Sequence, residues 1–355
     1  MSESSATPTP AGASVDSGNT GVGGRVPSAD TTPEGPISAQ PVTGNKTKVR
    51  PGDRIFRGLT TGSGVLVVVL IGLIGLFLLV QAIPSIGLDQ VNFLTSREWS
   101  TNDPANLRFG ILDLLLVTVA TSVVALVIAM PVSLGIALFL TQYAPPKLAR
   151  PFAYAVDLLA AVPSIIFGLW GLYVLAPQLA PIASWLNDTL GFIPIFADGN
   201  VSSEIGGTIF TAGVVLGIML LPIITSLTRE VFQRTPVAQI EGALALGATR
   251  WEVIRTTVLP FGKAGYISAS MLGLGRALGE TIALTIILLA PSTTFGGSIF
   301  DGGATFASKI ASASSEFNDP RSVGAYITAG LVLFLLTFLV NFAGRAIVSG
   351  KKEYR

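Results

Sequence analysis

Half of the 355 residues are hydrophobic and only 12% are charged, whereas soluble domains carry about 25% charged residues, so the chain belongs in a bilayer. It contains no cysteine and no histidine, which excludes disulfides, thiolate chemistry, imidazole metal sites and every Ser/His/Asp or Cys/His catalytic arrangement. The net charge of +1 is uninformative as a total, because the placement of lysine and arginine is what orients a membrane protein.

Residues 1–55 read as a cytoplasmic N-terminal tail. Up to residue 50 they hold no aromatic side chain and consist mainly of Ser, Thr, Pro, Gly and Ala, a composition that buries too little surface to fold. No basic segment followed by an apolar core marks a cleaved signal peptide, so the first span is expected to act as an uncleaved anchor. Residues 56–355 then form one membrane domain.

A helix needs about 20 apolar residues to cross the hydrocarbon core. Long gaps without charge run from Arg57 to Asp89, Asp113 to Lys147, Glu204 to Arg229 and Arg321 to Arg345. Two further gaps are interrupted: Arg150 to Asp188 contains only Asp157, and Lys263 to Asp301 contains only Arg276 and Glu280. The fold class is therefore all-α, with six transmembrane helices near 60–83, 113–140, 152–176, 206–227, 264–290 and 324–346. On one side of these spans, residues 46–57, 141–151, 228–263 and the C-terminal end carry sixteen lysines and arginines, and the segments on the other carry four, Arg97, Arg108, Lys309 and Arg321. The positive-inside rule places both termini in the cytoplasm of a multi-pass cell-membrane protein.

Glycines four apart (Gly58 and Gly62, Gly213 and Gly217, Gly275 and Gly279) are expected to let helices approach closely. Pro131 and Pro163 fall inside spans two and three, where a plain kink is expected. Asp113 and Asp157 lie near span ends, where hydration tolerates them, and carry no transport role. Trp99, Trp170, Trp185 and Trp251 anchor or pack.

Between spans four and five runs "TPVAQIEGALALGATRWEVIRTTVLPFGK", residues 235–263. Thr235-Pro236 is a helix start, and Val237, Ile240 and Leu244 make an apolar stripe. Gly247 interrupts it. Thr249 and Glu252 then have capping-box spacing for a second helix, which Leu259 and Pro260 are expected to end. Such a knob suits docking into a groove on another protein, although an interfacial amphipathic linker reads equally well from the physics alone.

The spacing of Glu241, Ala243, Gly247 and Leu259-Pro260 resembles the signature loop of ABC importer permeases, with Gly242 in place of an alanine and Thr257 in place of the usual isoleucine. Together with "LLAAVPSIIFGLWG" (158–171) and "MLGLGRALGETIAL" (271–284), the chain over about 56–355 resembles the PstC-type permeases of phosphate-specific ABC importers. The sister permease, of PstA type, shares part of this pattern and is the alternative. The resemblance implies a type I ABC importer permease fold whose loop couples to an ATPase through Glu241, Ala243, Gly247, Leu259 and Pro260. It implies as partners a sister permease, a PstB-type ATPase dimer, a PstS-type extracytoplasmic phosphate-binding protein, inorganic phosphate and membrane lipid, with no nucleic acid. No cofactor is expected in this chain. It lacks any G-x-x-x-x-G-K-[ST], so ATP would be bound and hydrolysed by the partner, and the chain itself would not be an enzyme.

Arg276 and Glu280 are two charges within a membrane span, where each costs about 2.5–3.5 kcal/mol on insertion scales. Four residues apart, they would share a helix face and could neutralise one another. Under the resemblance they bind substrate instead, Arg276 matching two phosphate oxygens with its guanidinium fork and Glu280 accepting a hydrogen bond from protonated phosphate while repelling sulfate. A secondary phosphate transporter with Glu280 as proton carrier is the rival class, and it would leave the signature loop without a purpose.

Overall fold

The computed structural model describes residues 51–349 except 102, 104–105, 202–205, 290–293, 314–316 and 318. Most of the expected tail, and Ala290 at the end of the expected fifth span, lie outside the described residues. The chain divides into two units, Met1–Thr60 and Thr61–Arg355. In the first, the described part is the opening of helix α1 (Pro51–Ile86), where the Thr60 hydroxyl donates to the Phe56 carbonyl at 2.8 Å.

In the second unit α1 continues as an apolar rod, with Val65, Leu70, Leu76 and Phe77 all exposed. A two-stranded antiparallel ribbon, β1 (Trp99–Ser100) and β2 (Arg108–Phe109), leads into α2 (Leu112–Leu138), which ends in a π-turn over Phe139–Tyr143. Next come α3 (Pro146–Leu159), α4 (Ser164–Trp170), α5 (Ala176–Leu190) and α6 (Ile209–Gln233). A surface loop carries α7 (Val237–Ala245) and α8 (Arg250–Val253), followed by α9 (Leu259–Leu278), α10 (Ile282–Ile287), α11 (Phe306–Ser312) and α12 (Pro320–Ser349).

Among the described residues, five helices are long and apolar enough to cross a membrane: Gly52–Ile86, Leu112–Tyr143, Ser164–Leu190, Ile209–Gln233 and Pro320–Ala346. Four agree with expectation. The third is displaced from 152–176 to Ser164–Leu190, in which α4 and α5 are joined by a π-turn at Gly171–Leu175. Pro163, expected to kink this span, instead separates it from α3, because proline disfavours helical geometry in the residue before it. Pro163 itself adopts φ −59° and ψ 139°. Pro131 lies inside α2, which runs on through it to Leu138.

The expected fifth span, 264–290, is not one helix. α9 stops at Leu278, Gly279 to Thr281 leave helical bonding, and α10 begins at Ile282. Among the described residues there are thus five continuous helices of crossing length and a sixth apolar segment, broken at Gly279 to Thr281 just after Arg276. Neither do Leu259 and Pro260 end the helix that α8 begins. A π-turn over Ile254–Val258 carries α8 straight into α9, with the Leu259 N–H donating to the Ile254 carbonyl. The wider turn absorbs the proline, whose missing N–H removes only one bond at the start of α9.

The main core lies where α2 and α6 pack with α4, α9 and α10, around Val117, Ala125, Leu216, Leu220, Ile224, Ala277 and Leu284. Gly213 and Gly217 do permit close approach: a Cβ at Gly213 would clash with Val124, and one at Gly217 would lie 3.2 Å from the Ala125 carbonyl. Gly62 has nothing within 4 Å, and Gly279 terminates α9 rather than packing within it.

The loops sort to two ends, as alternating spans require. At one end Asp301, 2% exposed, accepts backbone N–H bonds from Asn200 (2.8 Å), Gly296 (2.8 Å) and Ser298 (3.0 Å). The Arg97 guanidinium reaches the Phe295 carbonyl at 2.8 Å, and the Ser322 hydroxyl donates to the Thr101 carbonyl at 2.7 Å. These bonds fasten the three loops expected outside into one cap. At the opposite end Ala137, Phe232 and Val258 cluster with Ile240 and Leu259, joining the loops expected inside.

Candidate substrate path and coupling surface

α9 is held on two sides. A Cβ at Gly273 would meet Ile224 of α6 at 3.0 Å, and one at Gly275 would lie 3.7 Å from Asn341 of α12. The remaining face stays open along Ala264, Ser268, Leu272, Arg276 and Gly279, one residue per turn, and continues past the break through Ile282 and Thr285. Arg276 is exposed and makes no hydrogen bond or ion pair among the described residues. Unlike the mostly exposed run 64–80 of α1, which is wholly apolar, this stripe is partly polar.

Glu280 turns the other way. It is 8% exposed, and its Oε1 accepts the Ala283 N–H at 3.4 Å, so the carboxylate caps the restarting helix and compensates one of its orphan donors. No Arg276–Glu280 ion pair forms, because the helix ends between them and the four-residue register is lost. Thr281 and Thr285 add hydroxyls: Thr281 donates to the Gly279 carbonyl (3.1 Å) and Thr285 to the Thr281 carbonyl (2.8 Å).

The two sequence segments that carry the family resemblance within the spans meet in space. A Cβ at Gly168 of α4 would lie 3.0 Å from Ala283 Cα of α10, so only glycine allows the two helices this approach. α4 starts one residue after Pro163 and α10 three after Gly279. Gly168 lies four residues into α4 and Ala283 one residue into α10. The approach of α4 to α10 is one that no spacing within either segment reveals.

At the opposite end, α7 stops in a Schellman motif. The Ala248 N–H donates to the Ala243 carbonyl (3.1 Å), the Gly247 N–H donates to the Leu244 carbonyl (2.9 Å), and Gly247 adopts φ +85°, the left-handed geometry that glycine takes without strain. Thr249 and Glu252 form the expected capping box, and the Thr249 N–H and hydroxyl hold the Glu252 carboxyl below its ordinary range. Glu241 is exposed and Ala243 half-buried. Ile240 and Leu259 pack against Phe232 at the end of α6, while Pro260 is exposed. The open apolar surface is Val237, Leu244, Trp251 and Leu246, the last 91% exposed. The expected stripe therefore splits: Ile240 roots the knob, and Leu246 and Trp251, absent from that stripe, take its place outside.

Residues 129–353 match the model of the binding-protein-dependent transport system inner membrane component family. A phosphate transport system permease protein PstC 2 of Mycobacterium tuberculosis is 59% identical over 302 residues, covering 85% of this chain and 93% of that one. The chain is a PstC-type permease of this family. A PstC from Haemophilus influenzae is 39% identical over 307 residues, covering 85% and 94% of the two chains. Among solved structures, a bacterial ABC transporter involved in the import of the acidic polysaccharide alginate aligns over 86% of this chain and all of its own, with TM-score 0.50 and 15% identity; this likeness concerns the fold, that of a type I ABC importer permease. As a PstC-type permease, the chain is a multi-pass membrane subunit of an ABC importer, a class that works with an ATPase and a binding protein.

Proposed function

We propose that this permease forms, with a PstA-type sister, the translocation path of an ATP-driven inorganic phosphate importer. Phosphate is delivered from a PstS-type extracytoplasmic binding protein, and a PstB-type ATPase dimer supplies the movement. Both termini face the cytoplasm of the cell membrane, on the side rich in lysine and arginine. The observation that carries the reading is Arg276, an unpaired guanidinium on the one open, partly polar stripe of α9. Facing lipid it would be unfavourable by several kcal/mol; lining a path shared with the sister permease, it attracts an oxyanion and binds two of its oxygens.

Glu280, held at the helix restart, accepts a hydrogen bond from the P–OH of phosphate and repels the fully ionised sulfate. Glu241, Ala243, Gly247, Leu259 and Pro260 form the mechanical input. The exposed Val237, Leu244 and Leu246 dock into the ATPase, and Leu259 and Ile240 pass the displacement to the end of α6. This chain binds no nucleotide.

The test is uptake of radiolabelled phosphate and sulfate into vesicles bearing the assembled complex, with and without ATP on the cytoplasmic side. Phosphate accumulation that requires ATP, survives collapse of the proton gradient and excludes sulfate is expected. ATP-independent uptake driven by the proton gradient would replace this reading with that of a secondary transporter.

A further inference from the structure

A second basic site lies at the end of the molecule that carries the coupling knob. Lys147, Arg150, Tyr154 and Asp157 recur at intervals of three or four residues along α3, so they share one face of that helix. Arg150, Tyr154 and Asp157 line a cleft of about 230 Å³ with Arg229 and Gln233 of α6, equivalent to roughly seven waters. Arg229 Nη2 donates to Asp157 Oδ2 at 3.1 Å, and its side chain is 18% exposed. Its Nη1 is buried and has no partner among the described residues. Arg150 likewise makes no ion pair there, and Glu230, the neighbouring carboxylate on α6, is taken by Arg234. One aspartate thus stands beside two arginines, which leaves an excess positive charge at the cleft.

The surroundings select the class of anion. α3 leaves Leu148, Phe152 and Leu158 exposed beside its polar face, the pattern of a helix lying at headgroup level. The guanidinium fork matches tetrahedral phosphate oxygens. We infer that Arg150 and Arg229, with Tyr154 and Gln233 at the rim, form a binding site for a phosphate group distinct from Arg276, filled by an anionic phospholipid headgroup or by free inorganic phosphate. Asp157 fastens α3 to α6 and sets the affinity by competing for Arg229.

The experiment uses the assembled importer carrying Arg276→Gln, so that the central path contributes no binding and the outcome is independent of the function proposed above. In nanodiscs of phosphatidylcholine alone, equilibrium binding of radiolabelled phosphate reads the free-anion arm. In nanodiscs containing phosphatidylglycerol, native mass spectrometry of co-purifying lipid reads the headgroup arm. In one arm, binding is expected that falls at least about tenfold on adding Arg150→Gln, the loss of one charge-assisted hydrogen bond, and rises on adding Asp157→Asn, which frees Arg229. Arg150 takes no part in the α3–α6 bridge, so its replacement leaves folding intact. Binding in neither arm, or binding that neither substitution alters, would overturn the inference and leave Asp157 and Arg229 as a helix fastening only.

Discussion

Replacing Arg276 with glutamine is expected to abolish phosphate uptake while the importer still assembles. The side chain has no partner among the described residues, so its loss orphans no buried group and removes no contact that holds α9 to α6 or α12. What it removes is two charge-assisted hydrogen bonds to the anion, each contributing about 1.5–3 kcal/mol. Together they correspond to a fall of roughly 150- to 25,000-fold in uptake at limiting phosphate. Arg276→Lys keeps the charge but loses the fork, and is expected to retain a fraction of the activity. Co-purification of all subunits with vesicle uptake checks both; an assembled Arg276→Gln complex with normal uptake would reject the role.

Gly247→Val is expected to uncouple the importer. The residue sits at φ +85°, and a Cβ there would meet nothing within 4 Å, so the effect comes from backbone geometry and not from crowding. Left-handed geometry is unfavourable by about 1–2 kcal/mol for an ordinary residue and by more for a β-branched one. The Schellman motif would open, and α7 would lose its fixed angle to α8. Because a shift of one or two kcal/mol changes a population by about 5- to 30-fold, ATP hydrolysis is expected to continue while uptake falls at least about tenfold. Gly247→Asn, which tolerates this geometry, should restore most of the transport. Full ATP-driven uptake by the valine variant would remove Gly247 from the coupling path.

How far the sequence revealed these features depended on the range of the interaction. The capping box at Thr249 and Glu252 and the turn at Gly247 are set by residues within a few positions, and both were legible. Four spans were equally plain, because an uncharged run of sufficient length has no other stable solution in lipid. Pro163 was harder. Proline both kinks and ends membrane helices, and the outcome is decided by whether the next segment finds its own packing; here α4 does so, through Gly168 on α10. The break at Gly279 to Thr281 was hidden for a similar reason. Arg276 and Glu280 looked like an ion pair at helical spacing, but Glu280 instead satisfies the backbone of α10. The cap around Asp301 joins backbone donors about a hundred residues apart in sequence, and the α3–α6 cleft joins Asp157 to Arg229; no local pattern encodes either.

Transport through this subunit requires the open stripe of α9 and α10 to line a watery path rather than face lipid, and the chain's lack of cysteine makes this directly measurable. Thr285→Cys places a single thiol on the stripe with Arg276 intact. In the assembled complex this thiol is expected to react with a charged, membrane-impermeant thiosulfonate and to react more slowly when phosphate, but not sulfate, is present. A thiol that resists the charged reagent and reacts only with a membrane-soluble maleimide, unaffected by phosphate, would put the stripe against lipid and contradict a phosphate path along it.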